Sequence, residues 1–119
     1  MKKELPKKIF DHKLALKLAD NKYQLAKEMF EMLIACLPKH QNELDEAFQK
    51  QDLKELLMAT HKLHGAVCYS GTPRLTAAIY QLESALKTNN TKEIKKLYQQ
   101  VIEEIYTVLE NAAPGFDRL

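Results

Sequence analysis

The sequence predicts an all-α fold: an antiparallel up-down four-helix bundle with an extra short N-terminal helix. Leu, Ala, Lys, Glu and Gln are abundant, and the 119 residues include only three glycines and four prolines, a composition that favours helix. Apolar residues recur at steps of three and four, which is the helical period. Short connections between long helices make neighbouring helices antiparallel. The length suits one domain with a single core.

The two ends of the chain are predicted to lie outside the bundle. Residues 1–9 carry Lys2, Lys3, Lys7 and Lys8, and such a basic segment is typical of a solvated linker. The bundle is expected at 10–111. Residues 112–119 begin with Ala-Ala-Pro-Gly, and we expect them to fray as a tail.

The first two helices are defined by Asn, Asp and Pro. A short amphipathic helix is expected from Phe10 to Ala19, ending at Asp20-Asn21, with Leu14, Leu16 and Leu18 as its apolar members. The long second helix begins at Tyr23, and its predicted core stripe is Leu25, Met29, Met32, Leu33 and Cys36. Pro38 cannot donate to the helical ladder, so we expect a kink or a restart there. Leu44, Ala47 and Phe48 then continue the stripe to about Lys50.

The remaining three helices begin at recognisable caps. Asp52 and Glu55 have the spacing of a capping box, which predicts a third helix reaching about Gly71. Thr72-Pro73 is typical of an N-cap and first-turn proline, and Thr91 can cap the last helix. The apolar stripes of the fourth and fifth helices are Leu75, Ala78, Ile79, Leu82 and Leu86, then Ile94, Leu97, Val101, Ile105, Val108 and Leu109.

Composition argues against several functional classes. The net charge is only +2 and the basic residues are scattered beyond the N-terminus, so we expect no nucleic-acid partner. The longest apolar run, Met32 to Leu37, is too short to span a bilayer, and no direct membrane contact is expected. Two cysteines without a Cys-x-x-Cys pair favour reduced thiols in a cytoplasmic protein and argue against structural zinc.

The stretch 60–71, THKLHGAVCYSG, places one histidine at the centre of an exposed helix face. With about 100° of rotation per residue, the opposite side of the third helix collects small and apolar residues suited to the core: Leu56, Ala59, Leu63, Ala66, Val67 and Ser70. The residues within about 60° of His61 are Lys54, Leu57, Met58, His64, Gly65 and Cys68. This face combines an exposed imidazole with apolar surface and a helix-destabilising glycine.

Four interpretations of this face compete. Ordinary surface residues leave Gly65 and the apolar flank unexplained. Two histidines without an obvious third ligand make a weak metal site, and a convex helix offers no pocket for acid–base catalysis on a small substrate. The fourth is phosphoryl carriage, in which imidazole attacks an acyl phosphate on another protein. It needs an accessible ring, nearby cations, space above the ring and a docking surface, which this face supplies.

The stretch His61-Lys62-Leu63-His64-Gly65, followed by Gly71 and Leu75, resembles the signature of histidine phosphotransfer (HPt) domains. The segments LALKLADNKYQLAKEMFEMLIACLP, HKLHG and YSGTPRL are similar to the C-terminal HPt domain of BarA/GacS-type hybrid sensor kinases. The resemblance extends from about Phe10 to Leu109 and implies the helical bundle already predicted.

This resemblance implies a multistep phosphorelay. His61 would be the phosphoacceptor at Nε2, and Lys62 and Gly65 match motif residues that support it. His64 stands where many HPt domains have Lys, so it would contact the phosphoryl group or lie on the rim. The donor would be a receiver-domain aspartate of a hybrid sensor kinase, and the acceptor the receiver aspartate of a response regulator.

The resemblance also sets expectations for cofactors and location. A phosphocarrier has no ATPase or autokinase activity of its own, and no intrinsic cofactor or metal is expected because Mg²⁺ would be bound by the partner receiver domain. We expect a monomer that forms the cytoplasmic C-terminal domain of a membrane-bound sensor kinase. Helix geometry adds the partner-binding residues Lys54, Leu57, Met58 and Cys68. The alternative is a non-catalytic helical protein–protein interaction module.

Overall fold

The computed structural model of the protein describes residues 4–118. Within that range the chain forms five α-helices and a 3₁₀ turn and contains no strand. The helices are α1 (His12–Leu18), α2 (Tyr23–Gln49), α3 (Leu53–Val67), α4 (Pro73–Lys87) and α5 (Thr91–Asn111), and the turn is Phe116–Arg118. Helix α2 packs on α3, α3 on α4, α4 on α5 and α5 back on α2, while α1 lies on α2. The predicted four-helix bundle with a short extra helix is confirmed.

Aspartate side chains cap the starts of α1 and α3. The Asp11 carboxylate accepts from the Leu14 N–H at 2.9 Å, so α1 begins at His12 and not at Phe10. The Asp52 carboxylate accepts from the Glu55 N–H at 3.0 Å, as an N-cap should. The reciprocal half of that capping box is absent because the Asp52 N–H bonds to the Ala47 carbonyl at 3.1 Å.

Three other helix signals act differently from the prediction. Thr91 is the first residue of α5 and not its cap, and no side-chain hydrogen bond caps this helix. Thr72 precedes Pro73 as expected, but its hydroxyl bonds to that of Ser70 at 2.7 Å and does not cap α4. Pro38 neither ends nor restarts α2, which runs on to Gln49. Pro38 is exposed, so water can reach the carbonyl one turn earlier that the proline leaves without a donor.

The main core lies between the four long helices. The whole apolar stripe predicted for α4 is buried. On α2 the predicted stripe is right at Leu33, Leu44 and Ala47, which are buried. Before Pro38 it is otherwise wrong by one position, because Ala26, Phe30 and Leu37 are buried, whereas Leu25 is exposed and Met32 is 70% exposed. In α1 the buried residue is Ala15, and Leu18 is exposed. The helical period is therefore right, but the inward face of α1 and of the first half of α2 differs from the one predicted.

The chain after α5 does not fray. Phe116 is buried in a second, smaller core, where its ring stacks on His12 at 4.2 Å and tilts against Phe30 at 5.6 Å. Its carbonyl accepts from His12 Nε2 at 3.0 Å. The other buried members of this core are Ala15, Ala19, Ala26, Phe30 and Ala112.

The N-terminal segment is also more structured than a linker. Leu5 and Ile9 pack against the main core, while Lys7 and Lys8 are exposed. Lys2 and Lys3 lie outside the described residues. In the part of the chain that the structure describes, no helix is both long and apolar enough to span a bilayer.

Gly71 allows α1 to dock against the connection between α3 and α4. Its φ is +69°, and an added Cβ would lie 2.6 Å from the Ala15 Cβ and 2.8 Å from the Asp11 carbonyl oxygen. The Gly71 carbonyl accepts from the Asp11 N–H at 2.8 Å. A side chain at this position would push α1 away from the end of α3.

Candidate functional site

Helix α3 carries His61 on its outer side. The His61 side chain is 73% exposed, whereas Leu63 and Val67 on the opposite side are fully buried. Thr60 is also buried, and its hydroxyl bonds to the Leu56 carbonyl one turn earlier at 2.7 Å. The predicted division of α3 into an exposed histidine face and a core face is confirmed.

A buried carboxylate from α4 joins the two histidines of the motif. Glu83 is 4% exposed, and its Oε2 lies 2.6 Å from His61 Nδ1 while its Oε1 lies 2.7 Å from His64 Nδ1. An ionised carboxylate only accepts hydrogen bonds, so each Nδ1 donates a hydrogen. In the neutral rings, the lone pair is therefore on Nε2.

The charge of Glu83 is balanced by its neighbours. Burial alone would raise the pKa of this carboxyl, but the hydrogen bonds from His61 and His64, together with the charge of Lys87, hold the pKa below its usual value. The Lys87 Nζ lies 3.5 Å from Oε2. Glu83 is therefore ionised at neutral pH and can accept from both rings.

Glu83 is not among the site residues that the sequence pattern predicts. A signal was present, because Glu83 falls four residues after Ile79 and three before Leu86, on the buried stripe of α4. A charged residue on such a stripe is rarely buried unless it is paired. Which residues pair with it depends on the register between α3 and α4, and the spacing within one helix does not contain that information.

Of the other predicted site residues, His64 lies next to His61 on the exposed face of α3, whereas Lys62 lies at the edge of that face. His64 has a 30% exposed side chain, and its ring edge meets Tyr80 with centroids 6.2 Å apart. Lys62 points towards α2, where its Nζ donates to Glu43 at 2.9 Å. That hydrogen bond, outweighing the opposing effect of burial, holds the pKa of Glu43 below its usual value. The structure thus brings His64 to His61 but directs Lys62 away.

The predicted docking residues lie on the exposed face to different degrees. Lys54 and Met58 are exposed, Met58 at 63%, whereas Leu57 packs partly against the core. Cys68 is half-buried, and its thiol donates to the Gly65 carbonyl at 3.2 Å. A Cβ added to Gly65 would meet nothing within 4 Å, so the space beside His61 and His64 is open.

An apolar groove that the sequence did not predict begins at this face. Its volume is about 590 Å³, and it runs between α1 and α4. Leu14, Leu18, Cys68, Ala77 and Tyr80 are among its lining residues. Because Tyr80 also contacts His64, the groove is continuous with the histidine face.

The histidine pair does not have the arrangement of a metal site. Both Nδ1 atoms donate to Glu83, so only the two Nε2 atoms could bind an ion, and two ligands are fewer than the three or four that proteins usually provide. Among residues 4–118, no group of three or more His, Cys, Asp and Glu side chains is arranged to hold a metal ion.

Comparison with known proteins identifies the family. The model of the Hpt domain matches residues 28–112. The chain is 38% identical over 81 residues, 68% of its length, to the sensor protein GacS of Pseudomonas syringae pv. syringae. It is 30% identical over 109 residues, 91% of its length, to the signal transduction histidine-protein kinase BarA of Escherichia coli K12. The aligned regions are 9% of that GacS and 12% of that BarA, so the chain spans about a tenth of these relatives.

A solved structure agrees with this assignment. The HPT domain from a hybrid histidine kinase of Shewanella superposes with a TM-score of 0.84 at 29% identity, covering 93% of this chain and 96% of that one. The match includes nearly all of both chains, so it concerns the whole bundle and not a helical hairpin. The family model, the sequence relatives and the shared fold together establish that the chain belongs to the Hpt domain family.

Proposed function

We propose that this domain carries a phosphoryl group on Nε2 of His61, between the aspartate of a donor receiver domain and the aspartate of an acceptor receiver domain. The observation that supports this most directly is the hydrogen bond from His61 Nδ1 to Glu83 at 2.6 Å. It keeps the ring hydrogen on Nδ1 and directs the Nε2 lone pair away from the protein, on a side chain that is 73% exposed.

The transfer step follows from this tautomer. The Nε2 lone pair attacks phosphorus, the bond from phosphorus to the donor aspartate oxygen breaks, and the aspartate carboxylate leaves with the electron pair. The hydrogen on Nδ1 stays in place, so the product is a phosphoimidazolium whose positive charge faces Glu83. In the onward transfer the ring leaves as a neutral imidazole, so no proton has to move.

Exposure selects His61 over His64 as the acceptor. Both rings donate from Nδ1 to the same carboxylate, so both present the Nε2 lone pair. The His64 side chain is only 30% exposed and packs against Tyr80. A receiver domain can therefore reach Nε2 of His61 more easily.

The same exposed face would receive both receiver domains. Met58 and Lys54 flank His61 along α3, and the groove between α1 and α4 adds apolar surface next to Tyr80. We expect Lys54 to complement a receiver's acidic pocket, and Mg²⁺ bound there would neutralise the transferred phosphoryl charge. The chain carries no Gly-rich phosphate loop of its own, in keeping with a carrier that does not use ATP.

We also propose what kind of protein contains this domain and in which oligomeric state it works. The sensor protein GacS and the histidine-protein kinase BarA are about ten times longer than the aligned region, which supports a role as one domain of a longer kinase. We propose that it is the cytoplasmic C-terminal domain of a membrane-bound hybrid kinase. We propose that the domain works as a monomer, because transfer requires one accessible histidine face.

Transfer of label from a phosphorylated receiver domain tests the function. Wild type is expected to accept label that is acid-labile and base-stable, and His61→Gln is expected to lose it. The control is His40→Gln, because His40 lies on α2 and does not contact Glu83. Label retained by His61→Gln would contradict the assignment of His61. A wild type that accepts no label would favour the non-catalytic interaction module.

A further inference from the structure

The position of His64 suggests a function different from phosphate contact. Its Nδ1 is already committed to Glu83 at 2.7 Å, and the Nε2 of a neutral ring is an acceptor that repels phosphoryl oxygens. The ring also rests against Tyr80. In this arrangement a neutral His64 has no donor to offer a phosphoryl group on His61.

We infer that His64 is a positioning residue: by holding Oε1 of Glu83, it keeps Oε2 of the same carboxylate on Nδ1 of His61. This inference rests on the proposed function and assigns His64 a part in it. The two oxygens belong to one rigid planar group, so fixing one of them fixes the direction of the other. Residues three apart lie on the same face of a helix, so both rings reach one carboxylate.

Lys87 is the reason that Glu83 needs a second anchor. Its Nζ lies 3.5 Å from Oε2, the oxygen that His61 uses, and its side chain is 60% exposed. If Oε1 were released, the carboxylate could turn towards Lys87 and leave the His61 ring free to exchange its tautomers. The hydrogen bond from His64 opposes that rotation.

The same contact stabilises the ring hydrogen of His61. The hydrogen bonds from His61 and His64 both lower the pKa of the buried Glu83, which makes the carboxylate a weaker base towards each of them. The hydrogen therefore stays on Nδ1 of His61 when the ring becomes a phosphoimidazolium.

Two substitutions of His64 separate positioning from other roles. His64→Asn retains an N–H donor close to the position of Nδ1, whereas His64→Leu fills similar space without one. We expect the leucine variant to transfer phosphoryl about tenfold more slowly at saturating donor, the effect of losing one hydrogen bond to a charged group. We expect the asparagine variant to recover most of the rate.

Nitrogen NMR of the imidazole rings supplies a readout that does not depend on transfer. In wild type at neutral pH, His61 and His64 are both expected as the Nδ1–H tautomer. His64→Leu should convert His61 to a mixture of tautomers, and His64→Asn should not. Circular dichroism of each variant would verify folding, and the wild-type spectrum alone tests the arrangement if the leucine variant does not fold.

Three results would overturn the inference. These are a wild-type spectrum with His64 as the Nε2–H tautomer, a leucine variant with unchanged tautomer and rate, and an asparagine variant as slow as the leucine variant. Failure of the proposed function would look different, because wild type would then accept no label whatever its tautomers.

Discussion

At the residue scale, the chemistry of the site depends on one buried carboxylate that belongs to a different helix from the two histidines. An isolated buried charge is costly, but Glu83 accepts from His61 and His64 and lies near Lys87. These partners let the carboxylate stay ionised. The charge in turn fixes the tautomer of His61, so the contacts that stabilise the site also support the reactivity that we propose for it.

Glu83 should make the unfolding free energy of the domain depend on pH. Its pKa is lowered in the folded protein, so the unfolded chain binds the proton more tightly. Its contribution is complete above the unfolded pKa and is lost as the pH falls through the folded pKa. Glu83→Gln should therefore cost about 1–3 kcal/mol of unfolding free energy near neutral pH and progressively less in acid.

Urea unfolding of wild type and variant between about pH 5 and about pH 3 measures this difference. Glu103→Gln on the exposed side of α5 is the matched control and should change little at any pH. A difference in unfolding free energy between wild type and Glu83→Gln that grows as the pH falls would contradict the role assigned to the carboxylate.

Individual residues differed in how well the sequence predicted them. The exposure of His61 and the open space at Gly65 followed from angular positions within α3, which the helical period fixes. Glu83 did not, because its partners depend on how α4 is aligned with α3. The direction of Lys62 was also missed, since its partner Glu43 belongs to α2.

At the element scale, α3 has an interior glycine where a helix former would be more stable. The structure offers no packing reason for it, because a Cβ at Gly65 would meet nothing within 4 Å. The glycine lies beside His61 and His64, where a larger side chain would project over the approach to the rings. Access to His61 is therefore the explanation that we favour.

Two substitutions of Gly65 should have opposite consequences. Gly65→Ala should raise the unfolding free energy by about 0.5–1 kcal/mol, because it lowers the entropy of the unfolded chain, and should change transfer little. Gly65→Leu should remain helical by circular dichroism but transfer phosphoryl more slowly. Normal transfer by the leucine variant would show that open space at this position is not required.

The second helix shows why a periodic pattern can be placed on the wrong face. Before Pro38, the predicted residues Leu25, Met29, Met32 and Cys36 recur at helical steps as regularly as the buried residues Ala26, Phe30 and Leu37, and Leu33 belongs to both sets. The choice between the two stripes is made by what packs on them. Phe30 packs inward against Phe116 and Phe10. The sequence of α2 alone does not reveal those partners.

At the scale of the whole molecule, aromatic contacts hold the bundle together near both ends of α2, and the histidine face lies between these two sets of contacts. At one end Phe116 closes the small core with α1 and Phe30. At the other, Phe48 stacks on Tyr98 with centroids 3.9 Å apart, and the Tyr98 hydroxyl donates to Asp45. Burial, followed by the hydrogen bond to Asp45, raises the pKa of Tyr98, so the hydroxyl keeps its hydrogen.

The sequence predicts the long helices of the bundle better than it predicts the two ends of the chain. Composition, period and caps are enough to predict four antiparallel helices. The sequence Ala-Ala-Pro-Gly suggested a frayed end, but the single aromatic residue after it, Phe116, buries enough surface to hold the chain against α1. One such contact between distant segments leaves no periodic signal in the sequence.

Docking of α1 should depend on Gly71. Gly71→Ala would place a Cβ 2.6 Å from that of Ala15 at a φ of +69°, and should cost about 2–4 kcal/mol of unfolding free energy from backbone strain and displacement of α1. Gly115→Ala is the matched control, because it has a similar φ of +89° without a contact within 4 Å. Equal losses of unfolding free energy for the two variants, measured by urea unfolding, would show that the close approach of α1 does not restrict the side chain at position 71.

We propose that Nε2 of His61 carries the phosphoryl group while Nδ1 keeps its hydrogen. The most direct measurement is phosphorus–nitrogen NMR of the ¹⁵N-labelled domain after phosphorylation by a donor receiver. The structure predicts coupling of phosphorus to Nε2 of His61 alone, with a hydrogen still on Nδ1 and bonded to Glu83. Phosphorus on Nδ1 of His61, or on either nitrogen of His64, would contradict it.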